Sequence, residues 1–170
     1  MNTLHRLLHA GREAVELSQA ELALASGVST RTINRMEAED AMVGFAILAK
    51  IRNCLETRGL KFIEPTETRD WTLMFDLAIA PAPEPELAKN RVFDPAPGCV
   101  LRAARTVLGL AQVELGQRAE IAHTTVRKLE RNGKVEPESS YRLQAYLETV
   151  GIKIVRPQGG DGWRLYCRSM

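Results

Sequence analysis

Hydrophobic residues recur at intervals of three and four along much of the chain, which predicts a series of short helices. In the first part of the sequence the pattern places four helices at about residues 3–15, 18–26, 29–37 and 44–57. The fourth has its buried face at Phe45, Leu48, Ile51, Cys54 and Leu55. After the fourth helix the period changes, and short runs at 60–63 and 71–75 alternate as β-strands do. The polar stretch 65–70 joins them, so this part ends in a hairpin.

The second and third predicted helices carry clear end signals. Ser18 and Glu21 have the S-x-x-E spacing of a capping box, in which both side chains satisfy backbone donors at a helix start. Leu22 and Ala25 are expected on the buried side of that helix. Gly27 allows the positive φ that ends a helix, and Ser29 can cap the next one. Two helices joined by such a short turn form a helix-turn-helix.

The same pattern occurs a second time. Residues 110–130 match 17–37 at six of twenty-one positions with an offset of 93, and 147–157 match 55–65 with an offset of 92. At the second offset the two tryptophans, Trp71 and Trp163, align and are expected to pack from the hairpins onto the helices. The second copy predicts helices near 99–108, 111–119, 122–131 and 138–150, and strands at 152–155 and 163–167.

The expected fold is therefore mainly α, with two tandem four-helix helix-turn-helix domains, each followed by a short β-hairpin. The domains are 1–77 and 98–170. Residues 78–97 between them contain prolines at 81, 83, 85, 95 and 97, which favour an extended spacer. A linker that binds a partner groove is the alternative. Apolar residues such as Ile63, Met74 and Val155 on the other hairpin faces indicate that the hairpins associate, within the chain or as a homodimer.

The second helix of a helix-turn-helix is narrow enough to enter the DNA major groove, where base edges present distinct hydrogen-bonding patterns. Arg or Lys can bond guanine there, and Asn can bond adenine. The candidate base-contacting residues are the polar positions on the outward face of each such helix: Thr30, Arg31, Asn34 and Arg35 in the first copy, and His123, Thr124, Arg127 and Lys128 in the second.

Three segments of the first copy, at 17–22, 27–29 and 32–37, resemble the Cro and phage-repressor (Xre-like) helix-turn-helix family, as do their counterparts in the second. The resemblance implies that Gln19 and Gln112 bond DNA phosphates and that the third helix contacts bases. It also implies that Glu37 and Glu130 are largely structural. The function it implies is transcription regulation in bacteria or mobile genetic elements, most simply as a repressor.

The loop after the third helix differs between the copies. Residues 130–137 keep the Gly- and Pro-containing loop of the family, with Arg131 and Lys134 as further candidate DNA contacts, whereas 37–44 is acidic. Residues 98–157 hold 10 basic and 6 acidic side chains, against 8 and 8 in residues 1–64. Because DNA is a polyanion, the second copy is predicted to bind it more strongly.

Other functions find little support. No phosphate-binding Gly loop or catalytic triad motif stands out, so neither enzymatic activity nor a cofactor is expected. His5 and His9 are spaced to share a metal but have no third ligand nearby, which favours exposed helix surface. Three isolated cysteines argue against disulfides. With no signal peptide and no long apolar run, a cytoplasmic location is the default, without membrane contact.

These observations predict a sequence-specific double-stranded DNA-binding transcriptional regulator whose two helix-turn-helix copies recognise different half-sites. Its partners would be a DNA operator and, for repression or activation, RNA polymerase or another regulatory protein. The alternative is a protein-binding antitoxin or antiactivator that retains the helix-turn-helix fold. The unequal charge of the two copies keeps that alternative open.

Overall fold

The computed structural model describes residues 3–39, 42–67, 71–82 and 95–167. It is mainly helical with one small antiparallel sheet. The first half contains α1 (Thr3–Ala14), α2 (Gln19–Ser26), α3 (Thr30–Glu37), α4 (Phe45–Glu56), β1 (Leu60–Ile63) and β2 (Thr72–Phe75). The second half contains α5 (Gly98–Val107), α6 (Gln112–Arg118), α7 (His123–Glu130), α8 (Pro137–Thr149), β3 (Ile152–Val155) and β4 (Trp163–Cys167). Every one of these elements was predicted, with ends that agree to within one residue.

The end signals of α2 and α3 act as expected. The Ser18 hydroxyl accepts from the Glu21 amide at 3.1 Å, and the Glu21 carboxylate accepts from the Ser18 amide at 2.7 Å. Gly27 ends α2 with φ at 65°, in the left-handed region that a residue with a Cβ disfavours. Ser29 then caps α3 by accepting from the Thr32 amide at 3.1 Å. The capping box and the helix-turn-helix turn are confirmed.

The two hairpins form one four-stranded sheet in the order β1-β2-β4-β3. Its central ladder pairs β2 with β4 antiparallel, with Leu73 opposite Leu165 and Phe75 opposite Trp163. The sequence left open where the hairpins associate, and in this structure they associate within the chain.

The helices add a second contact between the halves. α1 packs against α5, and Ala10 and Ala103 are fully buried. Arg102 of α5 reaches across to donate to the Glu13 carbonyl at 3.2 Å and to the Glu16 carboxylate at 2.7 Å. The buried apolar residues of both halves belong to one hydrophobic cluster, so the halves share a core.

The ends of the predicted spacer lie against this core. Ala80 and Ala96 are buried, and the Trp163 indole donates to the Pro81 carbonyl at 3.0 Å. Residues 83–94, on which the expected extended geometry depends, lie outside the described residues, as do residues 68–70 of the first hairpin loop.

Several burial predictions are wrong. Phe45 was expected in the core but is 82% exposed, because it is the first residue of α4 and the buried face begins one turn later at Leu48. Ala25 is exposed, and Ala23 accompanies Leu22 in the core instead. Trp163 is buried as predicted, whereas Trp71 precedes β2 and is only half-buried against the core.

The prediction for the α1 histidines is also wrong. His5 is buried and His9 is half-buried. Both lie on α1, which contacts α3, α4 and α5, so less of this helix faces solvent than a terminal helix would suggest. Burial lowers the pKa of both imidazoles below 6.5, with Glu39 opposing the shift at His5 and Glu37 opposing it at His9.

Candidate nucleic-acid interface

Each predicted recognition helix has an apolar back and a polar outer face. Ile33 and Met36 of α3 are fully buried, and Val126 and Leu129 of α7 are buried in the same way. All the predicted base-contacting residues are exposed on the opposite sides: Thr30, Arg31, Asn34 and Arg35 on α3, and His123, Thr124, Arg127 and Lys128 on α7. Both helices therefore present hydrogen-bonding side chains to solvent on a fixed apolar support.

A buried ion pair holds the end of each recognition helix. In the first half, the Arg12 guanidinium donates from Nε and Nη2 to the two carboxylate oxygens of Glu37 at 2.6 and 2.8 Å. Its third nitrogen donates to the Leu17 carbonyl at 2.6 Å. Arg12 thereby ties together α1, the loop between α1 and α2, and the last residue of α3. Although burial opposes its charge, these contacts raise the pKa of Arg12 above its ordinary value.

The second half repeats the ion pair at an offset of 93. Arg105 donates to the Glu130 carboxylate at 2.6 and 3.2 Å and to the Leu110 carbonyl at 2.9 Å. The structural role implied for the two glutamates agrees with this geometry. The arginines were not singled out from the sequence, although their common spacing of five residues before Leu17 and Leu110 was a signal for them.

The two glutamines implied as phosphate contacts take part in the same networks. Gln19 Nε2 donates to Glu37 at 2.8 Å, and Gln112 Nε2 donates to Glu130 at 2.8 Å. Gln19 also accepts a long bond of 3.5 Å from Asn34, one of the candidate base contacts. The glutamines are half-buried, at the first residue of α2 and of α6. Each amide keeps one further N–H after its bond to glutamate.

The loops after the recognition helices differ in charge and polarity. In the second half Arg131 and Lys134 are exposed, and the Asn132 side chain accepts from the Gly98 amide at 2.7 Å, which ties the loop to α5. In the first half the corresponding loop carries Glu39, which is paired with Arg6 at 2.6 Å, and Met42, which is 96% exposed. Residues 40 and 41 lie outside the described ranges.

The described His, Cys, Asp and Glu side chains do not converge on a candidate metal site, and the three cysteines form no disulfide. Within 3–39, 42–67, 71–82 and 95–167, no three His, Cys, Asp or Glu residues are grouped to hold a metal ion. Cys54, Cys99 and Cys167 are free thiols, and burial raises the pKa of Cys99 above its ordinary value. None of the helices in the described part of the chain has the length and apolar character that a bilayer crossing requires.

Comparison with known families supports the interpretation of the first half. A family model for the helix-turn-helix, of the Cro/C1 type, matches residues 8–60, which run from α1 to the first residue of β1. The match supports an Xre-like helix-turn-helix at these residues and a DNA-binding role in transcription regulation. Members of this family are typically not enzymes. No curated protein and no solved structure matches the chain.

Proposed function

We propose that the chain is a repressor that binds specific double-stranded DNA sequences through two non-identical recognition helices, α3 and α7. Two observations together support this most directly. Both helices expose a row of side chains that can hydrogen-bond to base edges, and an Arg–Glu–Gln network of the same composition fixes the last residue of each helix. The proposal treats 1–77 and 98–170 as duplicated domains joined by 78–97. Its bacterial or mobile-element setting comes from the family resemblance.

The pairing of β2 with β4 supports an approximate two-fold relation between the halves. At the offset of 92, Leu73 corresponds to Leu165, and these two residues lie opposite each other. A two-fold rotation that superimposes one half on the other would exchange Leu73 and Leu165, so the axis would pass between these two residues. A covalent pseudo-dimer of this kind presents two recognition helices to neighbouring half-sites. Because the outward side chains of α3 and α7 differ, the half-sites differ too.

The second half makes the stronger DNA contact in this proposal. Arg127, Lys128, Arg131 and Lys134 are exposed on α7 and its following loop, and the described residues place no ion-pair partner on any of them. Such cations release counterions from DNA when they contact phosphates. In the first half the corresponding loop carries Glu39, which is paired with Arg6 at 2.6 Å, whereas the loop of the second half carries Arg131 and Lys134. Gln19 and Gln112 contact phosphates through the N–H that does not bond glutamate.

Selection of bound duplexes from a random oligonucleotide pool tests this function. The expected result is a bipartite motif with two different half-sites at one fixed spacing, because the shared sheet and core limit the movement of one half against the other. Repression then follows if the operator overlaps a promoter and excludes RNA polymerase. Recovery of no preferred sequence at near-physiological salt would contradict the proposal.

A second function is favoured by one observation in the first half. Leu24, Met42 and Phe45 are 88%, 96% and 82% exposed, and exposed apolar side chains mark an interaction surface where they form a patch. They accompany the acidic loop, so the first half has features of a surface that binds protein, as an antitoxin or antiactivator does. Affinity capture from a native lysate with and without nuclease separates the two functions, because only a protein partner survives digestion of the DNA.

A further inference from the structure

The four-stranded sheet has two edge strands, β1 and β3, and they differ in how their outward backbone groups are satisfied. An edge strand with free amides and carbonyls is a template for another strand, and proteins commonly block such edges. The two edges can be compared directly because β1 and β3 occupy corresponding places in the two halves.

The β1 edge is closed by side chains of α4. Arg52 Nη2 donates to the Phe62 carbonyl at 2.7 Å, and the Phe62 amide donates to Glu56 at 3.4 Å. Arg52 is itself fixed by ion pairs with Glu56 at 2.9 Å and Glu64 at 3.0 Å. The backbone groups at the middle of β1 are therefore occupied, and a long side chain lies where an added strand would pair.

Two of the three side chains that close β1 are replaced in the second half. The third, Glu56, is retained as Glu148, but among the described residues no hydrogen bond joins Glu148 to the Ile154 amide. At the offset of 92, Gln144 stands for Arg52, Ile154 for Phe62 and Arg156 for Glu64. Gln144 is shorter than arginine, and its buried Nε2 has no hydrogen-bond partner in the described part of the chain. A positive charge replaces the carboxylate that helps to fix Arg52. The side-chain closure of β1 is thus absent from β3 among the described residues.

Strand geometry shows which β3 groups face outward. In β4, the Cys167 amide donates to the Trp71 carbonyl, so Cys167 and Leu165, two residues earlier, direct their backbone groups toward β2. Ile154 lies opposite Leu165 and consequently directs its own amide and carbonyl away from β4. Within the described residues these two groups have no hydrogen-bond partner.

We propose that β3 pairs antiparallel with β3 of a second copy of this chain. The sheet already joins the two halves through the pairing of β2 with β4. The proposed contact extends this sheet at its β3 edge by the strands of a second copy. Because β1 is closed and β3 is open, each copy can pair only through β3, and assembly stops at a symmetric dimer. If both edges were open, copies could add to each other without limit. An extended segment of another protein is the competing occupant.

The charges on β3 select a register for this dimer. If Lys153 lay opposite its own copy, two like charges would face each other, which destabilises a strand pair. With Ile154 opposite Ile154, each Lys153 instead faces Val155 of the other copy. Tyr141, which is 55% exposed, lies three residues before Gln144 and thus on the same side of α8, the helix that packs beside β3. The dimer would cover this aromatic side chain.

Sedimentation equilibrium over a wide concentration range tests the proposal. The wild-type chain is expected to be dimeric, and Ile154→Pro monomeric, because proline removes an outward amide without removing a bond to β4. Gln144→Arg, which installs the β1 residue at the β3 edge, should also give a monomer. Circular dichroism and thermal unfolding establish that each variant is folded. Arg52→Gln is the matched control: it changes the other edge and should leave the dimer intact or produce larger assemblies.

Two results would overturn the proposal. One is a wild-type chain that stays monomeric at every concentration, which would leave the edge to a different occupant. The other is dimerisation of folded Ile154→Pro and Gln144→Arg as strong as that of the wild type. The consequence for operators rests on the proposed function: a dimer carries four recognition helices and protects a symmetric site about twice as long. Because sedimentation needs no DNA, failure of dimerisation and failure of DNA binding are distinguishable.

Discussion

The backbone carbonyl of Phe75 on β2 lies directly against Gly162, just before β4, leaving no space for a side chain on the glycine. A Cβ built at Gly162 would overlap the Phe75 carbonyl oxygen and carbon. This approach lies at one end of the ladder that joins the halves, next to the pairing of Phe75 with Trp163. The junction between the hairpins therefore depends on the absence of a single methyl group.

Replacing Gly162 with alanine is expected to weaken that junction. The neighbouring atom is backbone, so relief requires a shift of β2 or β4, and overpacking of this kind costs about 1–3 kcal/mol or more. Urea unfolding measures the loss. Gly44→Ala is the matched control, because a Cβ at Gly44 would meet nothing within 4 Å. Equal stability of the two variants would contradict this account of the junction.

The buried ion pairs predict a second effect on stability. Glu37→Gln removes the carboxylate that bonds two nitrogens of the buried Arg12 guanidinium, and among the described residues the Glu13 carboxylate at 2.9 Å is the counter-charge that remains. Breaking one side of a buried ion pair typically costs about 3–5 kcal/mol. Glu130→Gln should destabilise the chain to a comparable extent, because Arg105 has no second carboxylate within ion-pair distance among the described residues, although its side chain is somewhat more exposed than that of Arg12. The exposed pair between Arg142 and Glu138 is the control, where Glu138→Gln should change the free energy of unfolding by less than about 1 kcal/mol. Similar effects at all three glutamates would be inconsistent with the structure.

Local rules were sufficient to predict the elements of this fold. The spacing of apolar residues, the Ser18 capping box and Gly27 act over a few residues, so the helix ends could be predicted to within one residue. The outward positions of α3 and α7 were predictable for the same reason, because burial of Ile33 and Val126 determines which side faces solvent.

Features that depend on contacts between distant segments were not predictable in this way. His5 is buried because other helices pack against α1, and the spacing of apolar residues along α1 does not show where those helices lie. The junction of the hairpins depends on the approach of Phe75 to Gly162, eighty-seven residues apart in the numbering. Arg12 and Arg105 look like surface residues in a sequence, and only their partners Glu37 and Glu130 give them their role.

The two histidines of α1, buried His5 and half-buried His9, predict a loss of stability in mild acid. Their pKa values are lower in the folded chain than the ordinary 6.5, so the unfolded chain binds more protons as the pH falls below that value. Their contribution is complete above about pH 6.5 and is lost as the pH falls through the lower folded pKa. His5→Leu should reduce the drop in unfolding free energy between pH 7 and pH 5. A drop as steep in this variant as in the wild type would exclude His5 as a cause.

The unequal recognition helices predict unequal effects on DNA affinity. Arg127→Ala is expected to weaken binding to a selected duplex by about 5- to 150-fold, the equivalent of about 1–3 kcal/mol for a base contact. Arg31→Ala should weaken it less, because the loop beside α3 is acidic where the one beside α7 is basic. Arg142→Ala removes an exposed charge from α8 and controls for overall charge. Fluorescence anisotropy titrations measure all three, and equal losses for Arg127 and Arg31 would contradict the ranking of the halves.

The loop after α7 predicts a change in salt dependence without a change in sequence preference. Lys134 is exposed next to Gly133, whose amide donates to the Lys128 carbonyl at 2.8 Å and so holds the loop close to the recognition helix. If Lys134 contacts a phosphate, Lys134→Ala should lower the slope of log affinity against log salt by about 1 and weaken specific and mismatched duplexes alike. Lys50→Ala, an exposed lysine on α4, should leave the slope unchanged. A Lys134→Ala variant that loses discrimination between duplexes but keeps its salt slope would place this lysine on a base instead of the backbone.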